Sequence, residues 1–162
     1  MSTIAFIGSG EMGGTVARLA VAAGLDVVLS NSRGPQTLSA LADQLGPHAS
    51  AATVEEAARS GDWVLLAVPF GAYPRIPVEP LAGKTVLETT NYFGPLGGLA
   101  GGTATSSELV QRHLAGARVV KAFNTILPRQ LFNLARPAGS PTELPCRSRA
   151  MTLSPRPRPS SS

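Results

Sequence analysis

The opening of the chain, Thr3-Ile4-Ala5-Phe6-Ile7-Gly8-Ser9-Gly10-Glu11-Met12-Gly13-Gly14-Thr15, constrains the fold more than any other stretch. Ile4 to Ile7 are four apolar residues in succession, the pattern of a strand buried on both faces. Gly8-x-Gly10-x-x-Gly13 then turns the chain into a segment with helical spacing, Met12, Val16, Leu19, Ala20 and Ala23, which ends at Gly24. Strand, glycine turn and helix in that order form the dinucleotide-binding fingerprint in its proper context. Gly8 permits the tight turn, Gly10 admits a pyrophosphate to the backbone, and Gly13 lets the helix sit close to the strand. Free N–H groups at the helix N-terminus, with the dipole behind them, suit a negative ligand. Gly8, Ser9, Gly10, Glu11, Met12 and Gly13 are therefore candidate cofactor contacts.

Asp26 to Ser30 reads as a second strand, ending in Asn31-Ser32-Arg33-Gly34-Pro35. Dinucleotide enzymes read the adenosine ribose at this point, and those for NAD usually place a carboxylate there. None is present. Ser32 can hydrogen-bond a 2′-phosphate and Arg33 can pair with it, which points to NADP. The alternative is a solvated loop arginine after a capping serine. Pro35 opens a helix with Leu38, Leu41, Ala42 and Leu45 on one face, closed by Gly46-Pro47.

Further on, strands are expected at 48–51, 62–69, 85–88 and 118–123. Thr53-x-x-Glu56 and Thr105-x-x-Glu108 have the spacing of capping boxes and open helices. Pro74, Pro77 and Pro80 allow only a broken helix before 85–88, and Pro128 opens a short helix through Leu134. Val68 and Pro69, then Asn91 and Tyr92, then Asn124, Thr125 and Ile126 each follow a buried strand. Polar residues so placed usually face a ligand, although Asn91 could equally bond its own turn. Glu55 and Glu56 read as a solvated helix start, and His48 has no partner at metal-ligand spacing. The alternation of strand and helix implies α/β, a Rossmann-type, doubly wound, mostly parallel sheet.

Composition narrows the function classes. The net charge is +4, but 1–135 carries nine basic and nine acidic residues; the excess lies in Arg136, Arg147, Arg149, Arg156 and Arg158 against Glu143. A basic tail without aromatic residues to stack on bases argues against nucleic acid. No apolar run is long enough for a bilayer, and no basic and apolar leader precedes the first strand. A cytoplasmic location without membrane or metal is the expectation. The single cysteine, Cys146, cannot form an internal disulfide.

Gly8-Ser9-Gly10-Glu11-Met12-Gly13, Asn31-Ser32-Arg33, Ala67-Val68-Pro69, Thr90-Asn91-Tyr92 and Val120-Lys121-Ala122-Phe123-Asn124-Thr125-Ile126 together resemble the NADP-dependent reductases of the deazaflavin coenzyme F-420. Pyrroline-5-carboxylate reductases and six-transmembrane ferric reductases share the same N-terminal domain. The resemblance implies hydride transfer between C4 of NADP(H) and C5 of a deazaflavin, with no catalytic side chain acting on the carbon centre. It implies that Val68 and Pro69 border the nicotinamide, while Asn91, Tyr92, Asn124, Thr125 and Ile126 line the acceptor pocket. A small-molecule redox substrate and a homodimer are the implied partners. The family often has a second basic residue after the one at Arg33, and Gly34-Pro35-Gln36-Thr37 offers none. Two other readings stand beside this one: an NADP-binding module without turnover, and an imine or ketone reductase.

The resemblance covers about 1–140, expected to form the NADP-binding domain. Residues 141–162 have the Pro, Arg and Ser content of a segment that builds no core. The family would continue with an apolar strand, an acidic turn and a helix. The expectation is a truncated or frame-shifted C-terminus, with weak NADP binding and reduced or absent turnover.

Overall fold

The computed structural model describes residues 2–92 and 104–135. The glycine-rich stretch at 97–102 and the expected tail at 141–162 lie outside them. The first strand, β1 (Thr3–Ile7), leads into α1 (Glu11–Ala22). β2 (Asp26–Ser30) is followed by a 3-10 turn at Pro35–Leu38 and α2 (Ser39–Leu45). Next come β3 (Ala49–Ala51), α3 (Val54–Ser60) and β4 (Trp63–Leu66). Two 3-10 turns, Phe70–Arg75 and Glu79–Leu81, are the broken helix that the three prolines require. β5 (Thr85–Glu88), α4 (Ser106–His113), β6 (Arg118–Lys121) and α5 (Pro128–Leu134) complete the described chain.

The six strands lie in the order β3-β2-β1-β4-β5-β6, and all five pairings are parallel. That is the doubly wound order, with its switch point between β1 and β4. Successive side chains along the strands point to opposite faces of the sheet, and both faces are covered. Ala5, Ile7, Val64 and Leu66 pack with α3, α4 and the 3-10 turns. Phe6, Leu65, Val27 and Leu29 pack on the other face beneath α1 and α2. Each of these side chains larger than Ala5 contributes about 1.5–3 kcal/mol when fully buried. The two-sided sheet therefore explains why the strands read as unbroken apolar runs.

Local signals work where side chains satisfy backbone ends. In α3 the Thr53 hydroxyl accepts from Glu56 N–H at 3.3 Å, and the Glu56 carboxylate accepts from Thr53 N–H at 2.9 Å. Thr105 and Glu108 do the same for α4 at 3.2 and 2.7 Å. The other end of α3 is held from a distance: Lys84 Nζ donates to the carbonyls of Ala58, Arg59 and Gly61 at 2.6, 2.7 and 2.8 Å. An ammonium there meets three carbonyls and the negative end of the helix dipole.

Two strands stop short of their expected ends. β4 covers Trp63–Leu66 rather than 62–69, because Pro69 starts a 3-10 turn, and Trp63 is exposed at the amino edge. β6 stops at Lys121, and Phe123 turns the chain at φ 55. No helix among the described residues is long and apolar enough to cross a membrane. No group of three or more His, Cys, Asp or Glu is placed to hold a metal there. His48 instead pairs with Asp26, Nδ1 to Oδ1 at 2.9 Å.

Candidate functional site

Every loop singled out in the sequence leaves the carboxyl edge of the sheet, where ligands bind in open α/β domains. The first of them, after β1, is set by close backbone packing. Gly8 has φ +99, and a Cβ on it would lie 2.2 Å from the Ala67 carbonyl oxygen. A Cβ on Gly13 would lie 2.1 Å from the Gly8 oxygen. Gly10 is the exception, with nothing within 4 Å of the corresponding position. So Gly8 and Gly13 are required by the protein itself, whereas Gly10 leaves open space above the turn. The loop is anchored to β2: Gly8 N–H and the Ser9 hydroxyl both donate to Ser30 O at 3.0 Å. The Ser30 hydroxyl donates in turn to Phe6 O at 2.7 Å, inside the sheet.

Gly10 is the N-cap residue of α1, and no side chain caps the helix. Its first N–H groups are thus left for a ligand or solvent. An exposed Glu11 and a half-buried Met12 follow. This arrangement fits a pyrophosphate: an uncapped helix start, a glycine without neighbours, and two glycines that pull the turn tight.

The loop after β2 shows a division of labour. The Asn31 carbonyl oxygen accepts from Arg33 N–H at 2.8 Å, and its amide donates to the Thr37 hydroxyl at 2.9 Å. Thr37 donates onward to Gly34 O at 2.8 Å. Asn31 therefore shapes the loop with both ends of its amide. Ser32 and Arg33 are carried on that frame with exposed side chains.

Val68 borders Gly8, with Cγ1 3.0 Å from the position of a Gly8 Cβ. Pro69 is exposed beside it. Phe70 packs edge-on against Tyr92, ring centres 5.5 Å apart, and against Tyr73 at 5.0 Å. Tyr73 meets the His113 ring at 5.8 Å. Tyr92, 40% exposed, thus ends an aromatic row that begins on α4. The Asn91 amide donates to Asn124 O at 3.3 Å, tying the turn after β5 to the turn after β6. Asn124 and Thr125 are exposed and Ile126 is half-buried. Beyond them α5 packs against α1. A groove of about 320 Å³ runs between these helices, lined by Glu11, Arg18, Arg129 and Phe132 among others.

Residues 3–92 match the family described as NADP oxidoreductase, coenzyme F-420-dependent. The chain belongs to this family. Among solved structures, a hypothetical protein of Sinorhizobium meliloti is 34% identical with a TM-score of 0.71, over 82% of this chain and 66% of that one. An Arthrobacter protein to which F-420-dependent NADP reductase activity is ascribed is 25% identical with a TM-score of 0.71, over 86% and 70%. The chain spans about two thirds of the length of these two proteins. An imine reductase from Pseudomonas is 23% identical with a TM-score of 0.60, over 79% and 43%, and shares the fold. No curated protein matches the chain.

For this NADP oxidoreductase family member, the expected contacts fall into two groups on one sheet edge. Gly8 to Gly13, Asn31 to Arg33 and Val68 surround the switch point. Asn91, Tyr92 and Asn124 to Ile126 flank the ends of β5 and β6. Sequence reasoning missed two features of the second group. One is the row Phe70, Tyr73 and His113 behind Tyr92. The other is a buried ion pair, Glu88 with Lys121, whose visible signal was a charge closing each of two strands with an apolar centre.

Proposed function

We propose that this protein transfers a hydride between NADP(H) and a deazaflavin coenzyme of the F-420 type. The observation that carries the cofactor half is the contrast between Gly10 and its neighbours. Gly8 and Gly13 are held by backbone contacts, while Gly10 faces open space at an uncapped helix start. In this reading the free N–H groups at the start of α1, just after Gly10, bind the pyrophosphate. Ser32 and Arg33 bind the 2′-phosphate, on the frame that Asn31 supplies. Val68 and Pro69 border the nicotinamide. Asn91, Tyr92, Asn124, Thr125 and Ile126 line the acceptor side.

When bound, NADPH supplies a hydride from C4 of its nicotinamide to C5 of the acceptor. The chain's own residues bind and align the two rings and keep water out, which is where the rate gain of such a transfer originates. The family description and the Arthrobacter neighbour support the acceptor class.

The test is a titration of the purified chain with NADPH and NADH, followed by NADPH with oxidised F-420. Preference for NADPH and loss of deazaflavin absorbance are expected. Binding without turnover would replace the reading by that of a nucleotide-binding module. Absence of binding by either nucleotide would overturn it altogether.

A further inference from the structure

Glu88 and Lys121 are the last residues of β5 and β6 and stand opposite each other in the register of the two strands. The Glu88 side chain is fully buried and that of Lys121 is 19% exposed. Lys121 Nζ lies 3.0 Å from Oε2 and 3.1 Å from Oε1 of Glu88, and donates also to the Thr90 carbonyl. The carboxylate accepts two further hydrogen bonds, from the Thr90 hydroxyl at Oε1 and from the Ser107 hydroxyl at Oε2, the latter at 2.8 Å. Both oxygens of the carboxylate are thus engaged twice.

Such a network is a costly way to fill the end of a sheet. Well-packed apolar side chains of similar volume are often as stabilising as a buried ion pair, or more so. What apolar side chains lack is direction, because only the ions and hydroxyls specify where each neighbour must stand. The neighbours here are the Thr90 turn that leads to Asn91 and Tyr92, the start of α4 at Ser107, and the strand end that leads to Asn124. Two more bonds join the same strands just beyond the pair: Ala122 N–H to Glu88 O at 2.9 Å, and the Asn91 amide to Asn124 O at 3.3 Å.

We propose that Glu88 and Lys121 are a positioning pair for the acceptor side of the site, setting the turns that carry Asn91, Tyr92 and Asn124 relative to one another. What that side binds rests on the function proposed above; the positioning itself does not. Among the described residues, no hydrogen bond or ion pair joins either residue to the Gly8 to Gly13 loop. The pair should therefore act on acceptor recognition and leave the Gly8 to Gly13 region alone.

The test compares the full chain with Lys121→Met and with the double variant Glu88→Met, Lys121→Met. Amide NMR follows the Asn91 side chain and the Asn124 and Thr125 backbone, with Gly8 to Gly14 as the internal control. In parallel, NADPH affinity is measured, together with KM and kcat for oxidised F-420. Lys121→Met should displace the Asn91, Asn124 and Thr125 signals and leave the glycine loop and NADPH affinity unchanged. Its kcat/KM for F-420 should fall on the order of tenfold to a hundredfold, the scale of misplacement by about an ångström. The double variant should recover the melting temperature without recovering those signals or that kcat/KM. A double variant that recovers all of them would overturn the proposal, as would unmoved Asn91 and Asn124 signals in both variants. If the unmodified chain binds NADPH without reducing F-420, the proposed acceptor is wrong, and the NMR arm still decides the role of the pair.

Discussion

The carbonyl oxygen of Gly8 stands so close to the Cα of Gly13 that a methyl group there would meet it at 2.1 Å. The first turn of α1 is thereby locked to the end of β1 through backbone alone. Gly10, between them, has no such neighbour. Three glycines of one motif therefore divide into two that the fold needs and one that only the proposed ligand would need.

Gly13→Ala should destabilise the protein by about 1–3 kcal/mol or more, because the loop must move to admit the methyl group. Gly10→Ala should leave stability nearly unchanged, since its φ of −74 suits any residue and its surroundings are open. NADPH affinity should fall in Gly10→Ala with the melting temperature preserved. Thermal melts and NADPH titrations on both variants separate the two effects. A Gly10→Ala protein that binds NADPH normally would remove the pyrophosphate from that position.

The end of α3 offers a stability test remote from the site. Lys84 Nζ meets three carbonyls there, from Ala58, Arg59 and Gly61. Lys84→Met keeps most of the aliphatic stem and removes the ammonium. The expected loss is about 1–2 kcal/mol, the upper range for a partly buried cation at a helix C-terminus. Denaturant unfolding measures it, and NADPH binding should not change.

The capping box of α3 makes stability depend on pH. The Thr53 backbone N–H, and after it the Thr53 hydroxyl, hold the Glu56 carboxyl below its ordinary value of 4.5. A carboxyl with a lowered pKa in the folded state binds its proton more weakly there than in the unfolded chain. Its contribution is therefore complete above 4.5 and is lost as pH falls through the lowered value. Glu56→Gln should flatten that part of the acid limb in melts recorded between neutral and acid pH. Thr53→Ala should cost about 1 kcal/mol at neutral pH, the usual loss for an N-cap residue.

What could be read in the sequence was local or periodic. The capping boxes at Thr53 and Thr105 need only residues three apart, and the bounds of β2 and β5 follow from apolar runs ended by polar residues. The glycine motif carries its own strand and helix. Glu88 and Lys121, by contrast, lie 33 residues apart in sequence and meet only because β5 and β6 are adjacent and in register. The same holds for the row from Tyr92 to His113, which joins three separate segments. Asn31 stood out in the sequence as a candidate contact at the end of β2. Its use of both amide ends to shape the loop depends on where Thr37 falls after the Gly34 turn, which no spacing rule supplies.

That loop is where cofactor preference should be decided. Asn31 and Thr37 fix the backbone of 31–37 with bonds of 2.8 and 2.9 Å, so the exposed side chains of Ser32 and Arg33 can change without disturbing the frame. A guanidinium that pairs with a 2′-phosphate gives a charge-assisted contact worth about 1.5–3 kcal/mol. Arg33→Ala should then weaken NADPH binding on the order of tenfold to a hundredfold, since 1.4 kcal/mol is about a factor of ten. NADH has no 2′-phosphate, and its affinity should stay the same. Asn31→Ala makes the opposite kind of change, because it releases the frame while leaving Arg33 in place. It should weaken NADPH and also lower stability modestly, through two lost hydrogen bonds of about 0.5–1.5 kcal/mol each. Parallel titrations of both variants with NADPH and NADH would show the difference. Equal losses for the two nucleotides in Arg33→Ala would mean that Arg33 does not read the 2′-phosphate.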